Sequence, residues 1–140
     1  MLELHYRKDN PRGITAPNPD GNRNIVEHIT KCRGMKTSYT SVSEDPNAIK
    51  HFIGDLYKTD PNIIIADGHN FKAHSEVIDE LRSIIQSSEK SEKILANRAF
   101  QYAKRAKEAL VDWQFLLTNV DRKDRISRCY NQIQKYFQRI

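Results

Sequence analysis

TSYTSVSED, Thr37 to Asp45, sets five hydroxyl side chains around one tyrosine and closes on two acids. Such a run is either a solvated turn or a strand whose short hydroxyls hold something. Thr, Tyr and Val suit a pleated surface, so Ser38 to Val42 is predicted as a strand. The following EDPNAIKHFIGDLY is predicted as a helix. Asp45 opens it, Pro46 sits in its first turn, and Ala48, Ile49, Phe52, Ile53 and Leu56 form a buried stripe.

On the N-terminal side, Leu2 to Arg7 alternates apolar and polar residues. A half-buried strand is expected, with Leu2, Leu4 and Tyr6 inward and Arg7 turned away from them. DNPRGITAPNPDGNRN is loop chemistry, and NIVEHI is a short amphipathic piece of one or two helical turns. Further on, Asn62 to Ala66, N-I-I-I-A, is β-branched and is followed by the turn residues Asp67 and Gly68, which predicts a core strand. Ser75 to Ser87 and Lys90 to Leu110 repeat apolar residues at helical spacing, with a break at S-S-E-K-S between them. Trp113 to Val120 is predicted as a strand. A basic closing helix is expected through Ile126, Tyr130, Ile133 and Phe137.

The 140 residues suit a single domain spanning 1–140, long enough to bury a core unaided. Hydrophobic residues at 38% and charged residues at 29% argue for a packed fold over a disordered tail. A net charge of +5 favours an anionic partner. Cys32 and Cys129 belong to no CxxC pair, so no zinc site is readable. They either pair in an oxidising compartment or remain unrelated thiols. No apolar run approaches the ~18 residues of a membrane span, and a soluble protein is expected. His69 and His74, five apart, lack the spacing that would put two ligands on one helical face. His51 beside Phe52 carries no catalytic expectation, and no metal site is expected.

YRKDNP (6–11), NIVEHI (24–29) and SYTSVS (38–43) stand in that order. Together they resemble mono-ADP-ribosyltransferase toxins of the cholera and pertussis type. Those carry a strand ending in Tyr-Arg with an Asp soon after, an Asn-hydrophobic-x-x-His segment, and an aromatic-x-Ser-Thr-Ser strand. Here Ser41 and Ser43 keep the serine places while Val42 replaces the middle Thr. The resemblance implies an α+β fold: a small split β-sheet flanked by helices, with a helical C-terminal half. It also implies NAD as a substrate, bound by Arg7 and Tyr6, by His28, and by Ser41 with Ser43 in support. An arginine is the expected pyrophosphate anchor, because a planar guanidinium donates paired hydrogen bonds to phosphate oxygens.

The family also requires an acid, usually a Glu just ahead of a strand, that stabilises the ribosyl cation. EALVDWQFLLTNVDRKDRI, Glu108 to Ile126, resembles that region with Asp121 in place of a Pro. Position matching favours Asp112, with one extra residue in the strand; Glu108 and Glu76 are the other candidates. No Glu-x-Glu pair is present, which leaves the target residue type open. The resemblance implies a macromolecular acceptor, protein or RNA. It further implies a toxin or effector secreted or delivered into another cell's cytosol, with a cognate inhibitor or immunity protein as a further partner. The chain is short for that family, which implies a minimal member or a piece of a longer delivered protein.

Two rival readings come from the residues themselves. Arg122, Lys123, Arg125, Arg128, Lys135 and Arg139, interleaved with Tyr130, Tyr136 and Phe137, suit a non-catalytic binding module for RNA or an acidic partner. His5, His28, Arg7 and the serines suit the acid/base chemistry of a toxin nuclease.

Overall fold

A computed structural model describes residues 1–31, 37–116 and 120–140, apart from the side chains of residues 31, 122 and 126. The chain runs β1 (His5–Asp9), α1 (Ile25–Lys31), β2 (Tyr39–Ser43), a 3-10 turn (Pro46–Ile49), β3 (Asp55–Thr59), α2 (Pro61–Ala66) and β4 (Asn70–Lys72). It continues through α3 (His74–Ser87), α4 (Lys90–Ala106), β5 (Glu108–Asp112), α5 (Arg122–Gln134) and β6 (Phe137–Arg139). The six strands form one antiparallel sheet in the order β4-β5-β2-β1-β3-β6. The protein is therefore a mixed α+β fold. Among the described residues no helix is long and apolar enough to cross a membrane.

Two cores pack on the sheet. One joins α1, α3 and α4 through Ile25, Val77, Leu81, Ala99 and Ala103 to Tyr39 and Leu110. The other gathers Ile14, Tyr57, Ile64, Val111, Trp113, Cys129 and Ile133. Leu110 of β5 serves the first core and Val111 the second, and all five residues of the strand are buried. A strand buried on both faces shows no polar alternation in sequence. For that reason the helix predicted through Leu110 in fact ends at Ala106, and β5 begins two residues later. Lys107 makes the switch with a left-handed φ of 49°, its amide donating back to the Ala103 and Lys104 carbonyls.

β1 also differs from its prediction. It spans His5–Asp9, and the buried residues are His5 and Asp9, while Leu4 is exposed. The inward polar side chains are tied down: His5 Nδ1 bonds the Glu3 carbonyl and its ring meets Phe71 edge-on, while Asp9 accepts from Arg7 and Thr15.

The helix predicted from Asp45 shrinks to the single turn Pro46–Ile49, which leaves Phe52 and Ile53 exposed rather than on a core stripe. Gly54 sets the limit. Its φ is 124°, and a Cβ there would lie 2.5 Å from the Asp9 carbonyl oxygen. Only glycine brings the chain this close to β1.

Asn62 to Ala66 is helix α2, not a strand. Asp60 caps it by accepting from the Asn62 amide at 2.9 Å, with Pro61 at the first helical position, and only Ile64 of the three isoleucines is fully buried. After β5, Trp113 to Leu116 form a turn and not a strand, and residues 117–119 of that predicted strand lie outside the described residues. The closing helix ends at Gln134, and Phe137 belongs to β6. Cys129 is a buried free thiol, pushed up to about 12 by burial. Cys32 lies outside the described residues.

Candidate active site

β1 and β2 lie side by side but share the single register pair Tyr6↔Ser43, against five pairs between β1 and β3 and five between β2 and β5. Arg7 is held at this seam. Its Nη1 donates to the Ser41 carbonyl oxygen at 2.8 Å and its Nε to Asp9 Oδ2 at 2.7 Å. Asp9 can take this role because Thr15 and the Asn10 amide also donate to it; burial pushes its pKa up, but Arg7 and these donors outweigh that and hold it below the usual carboxylate range.

Ser41 is the centre of the site. Glu108 pairs with Ser43 across β2 and β5, so its carboxylate lies diagonal to Ser41 on the same face. Ser41 Oγ donates to Glu108 Oε2 at 2.7 Å, and His28 Nε2 lies 2.8 Å from the same Oγ. His28 Nδ1 in turn meets Thr37 Oγ1 at 2.6 Å. Proton accounting gives one direction to this row. With Glu108 ionised, the Ser41 hydrogen goes to it, so Ser41 accepts from His28 Nε2–H, and Nδ1 accepts the Thr37 hydroxyl. Every donor along Thr37, His28 and Ser41 points toward Glu108.

The electrostatics agree with a neutral imidazole. Burial, and then the nearby Arg7 charge, push the His28 pKa down to about 4. Burial pushes Glu108 up to about 7, opposed by the Ser41 hydrogen bond and by Arg7. Glu108 is therefore a buried acid that changes charge near neutral pH, as catalytic carboxylates commonly do. His74 Nδ1 donates to the Glu108 carbonyl at 2.9 Å and fixes the start of β5 from the N-terminus of α3.

A cavity of about 570 Å³ opens over this cluster. Arg7, Ser41 and Glu108 line it, with Phe52, Ile53 and Tyr102 along its exposed side. The volume suits part of a nucleotide-sized ligand. Tyr6 and Ser43 also line it, while His28 stands behind Ser41. Ser43 is committed elsewhere: its hydroxyl donates to the Ala106 carbonyl at 2.5 Å, satisfying an open carbonyl at the end of α4.

Asp112 does not join the cluster. It lies on the same face of β5, four residues and roughly 13 Å of strand beyond Glu108. There its Oδ1 accepts from Ser38 Oγ at 2.8 Å and from the Gln114 amide at 3.1 Å. The acid that meets Arg7 and Ser41 is Glu108. Glu76 is exposed in the first turn of α3 and is not part of the cavity lining.

Sequence reasoning missed Thr37 as the last member of the hydroxyl row, although it stands in the stretch that opens β2. It also missed Phe52, Tyr102 and Arg105, all of which line the cavity. Tyr102 and Arg105, three apart on α4, read in sequence only as the outer face of a helix. Of the other histidines, His69 is buried edge-on to Trp113 and Tyr136, and its Nδ1 has no hydrogen-bond partner among the described residues. Among the described residues no cluster of His, Cys, Asp and Glu is arranged to hold a metal ion. Comparison with protein-family models, with curated proteins and with solved structures found no match.

Proposed function

We propose that this chain is an NAD-dependent ADP-ribosyltransferase-like toxin or effector that transfers ADP-ribose to a macromolecular acceptor. The observation that carries the reading is the convergence on Ser41 of an arginine, a buried glutamate of raised pKa and a neutral histidine, beside one cavity. Residues 7, 28, 41 and 108 come from four different elements, so it is the fold and not local sequence that brings them together.

The chemistry follows from the geometry. The bond between ribose C1′ and the nicotinamide nitrogen breaks, and its electron pair leaves with neutral nicotinamide. Ionised Glu108 stabilises the positive charge that develops on the ribose, held in place by the Ser41 hydroxyl. The acceptor's nucleophile bonds to C1′ and releases one proton. Arg7 has spent Nε and Nη1 on Asp9 and Ser41, so its remaining N–H groups offer a rigid, pre-oriented contact to a phosphate or ribose oxygen.

In the basic C-terminal segment Arg125 pairs with Asp20, Arg139 pairs with Asp55 at the surface, and Tyr136 is buried in the second core.

The test is thermal unfolding with and without NAD, together with nicotinamide release, on the wild type and on Glu108→Gln. The expected result is stabilisation of both by NAD, since a ligand that binds only the folded state raises its stability, with release confined to the wild type. No stabilisation and no release at saturating NAD would overturn the proposal. Cleavage of RNA by the wild type in the absence of NAD would replace it with the nuclease reading.

A further inference from the structure

The residues around the cavity also say something about what receives the ADP-ribose, an inference that rests on the transferase reading above. Four charged side chains line the cavity: Arg7, Lys8, Arg105 and Glu108. Glu108 is buried beneath Ser41, so the charge presented outward is positive. Among the described residues neither Lys8 nor Arg105 has a carboxylate within ion-pair distance. Lys8 Nζ reaches only the Gly54 carbonyl, at 3.5 Å, and Arg105 Nε only the Gln101 carbonyl, at 3.4 Å. The nearby Asp45 is engaged by Lys107. Both lining cations thus keep their charge for a ligand.

Aromatic rings stand beside these cations. Tyr102 is 40% exposed, with the Arg105 guanidinium 5.2 Å from its ring centroid, and Phe52 is 47% exposed on the other lining segment. Phe52 follows the turn that buries Ile49, and its ring stays outside the core, edge-on to His51. Cations set among exposed aromatic faces are the combination that binds unpaired bases: rings stack on the π-faces and cations follow the backbone. A duplex reaches a concave site only by flipping a base out of its stack, a cost that a single strand avoids.

We infer that the acceptor is a single-stranded nucleic acid, one base of which stacks at the exposed side of the cavity against Phe52 and Tyr102 while Lys8 and Arg105 hold the flanking phosphates. In the transfer a ring N–H or exocyclic amine nitrogen of that base forms the bond to C1′ as the bond to nicotinamide breaks. The base nitrogen gives up one proton to the Glu108 carboxylate or to water, and nothing is oxidised or reduced.

The experiment is fluorescence anisotropy with labelled RNA and DNA homopolymers of each base, a duplex, and a polyglutamate peptide as the acidic control. It is paired with transfer of label from NAD to each of them. Single strands are expected to bind more tightly than duplex or peptide, with a slope of log affinity on log salt of about −1.4 for two phosphates. Tyr102→Ala and Phe52→Ala are each expected to weaken single-strand binding by roughly 10-fold, and label transfer to fall with it. Both side chains are partly exposed, and the unfolding temperature of each variant checks that the fold is kept. RNA against DNA in the same assay settles which strand is taken.

Binding of the single strand no tighter than duplex, affinity unchanged in both variants, or label delivered to the peptide in preference would each overturn the inference. Failure of the transferase reading would look different: the wild type would release no nicotinamide from NAD, whatever it bound.

Discussion

Glu108 and Asp112 stand on one strand, on one face, both buried, and they meet different fates. Asp112 closes β5, where a serine hydroxyl and a backbone amide already donate to it, so it serves as a structural tie between the strand end and the turn that follows. Glu108 opens β5 opposite Ser43, the residue that pairs with Tyr6 across the β1–β2 seam. It receives one hydroxyl, faces a cavity, and is pushed up to about 7 by its burial. Burial alone does not make an acid reactive. What separates the two is whether the protein's own donors have filled the site that a ligand would occupy.

The largest effect that would sharpen this contrast is on turnover. Glu108→Gln is expected to lower nicotinamide release by about 10²–10³-fold, the scale of removing a preorganised charge from a transition state, whereas Asp112→Asn leaves release within a few-fold. Equal losses in the two variants would break the comparison.

The pH dependence separates activity from stability. Release should rise with pH through about 7 as Glu108 ionises. For stability, the raised Glu108 pKa favours the folded state at low pH, and that contribution is lost as pH rises from the ordinary carboxylate range to about 7. The depressed His28 pKa acts in the opposite sense, with stability growing as pH rises from about 4 through the ordinary histidine range. The two slopes oppose each other in the wild type. Glu108→Gln removes one of them, so its melting temperature relative to the wild type should climb between acidic and neutral pH in calorimetry.

A smaller effect falls on Asp112 itself. Asp112→Ala leaves Ser38 Oγ buried without its acceptor, and a loss of about 1–3 kcal/mol in denaturant unfolding is expected. The smallest effect is at the junction that brings Glu108 into place. Lys107→Gly relieves a left-handed conformation but gives up the exposed ion pair to Asp45, and a gain of about 0.5 kcal/mol is expected. A loss there would mean that the lysine side chain contributes more than its backbone strain costs.

Much of the site was legible in sequence and less of the fold. Arg7, His28 and Ser41 are local landmarks, each set in its own short element, and the structure brings all three together. Position matching favoured Asp112 over Glu108, the candidate that the structure sets at Ser41, because the boundary between α4 and β5 leaves no sign in composition. Helix-favouring A-K-R-A-K runs straight into a strand buried on both sides, and a lysine occupies the capping position where glycine would have signalled the end. The two Asp-Pro-Asn sequences carry a similar lesson. At Asp45 and at Asp60 the aspartate accepts from the amide two residues on at 2.9 Å. The first was read as a helix start and the second was overruled by the isoleucines behind it. In both places the cap was the true signal, and Gly54 decided how little helix followed the first. The pairing of Phe52 with Tyr102 at one cavity depends on a turn and a helix distant in sequence, and nothing local announces it.

The seam between β1 and β2 has a mechanical consequence. With one register pair there and three to five along every other line, the sheet amounts to two three-stranded ribbons, β4-β5-β2 and β1-β3-β6, buttoned together by the Arg7 side chain. Whatever sits on Arg7 and Ser41 at once spans both ribbons and acts as a second button. Occupancy of the cavity would then be written in the exchange of the amides along that seam, a signature of binding that needs no chemistry to occur.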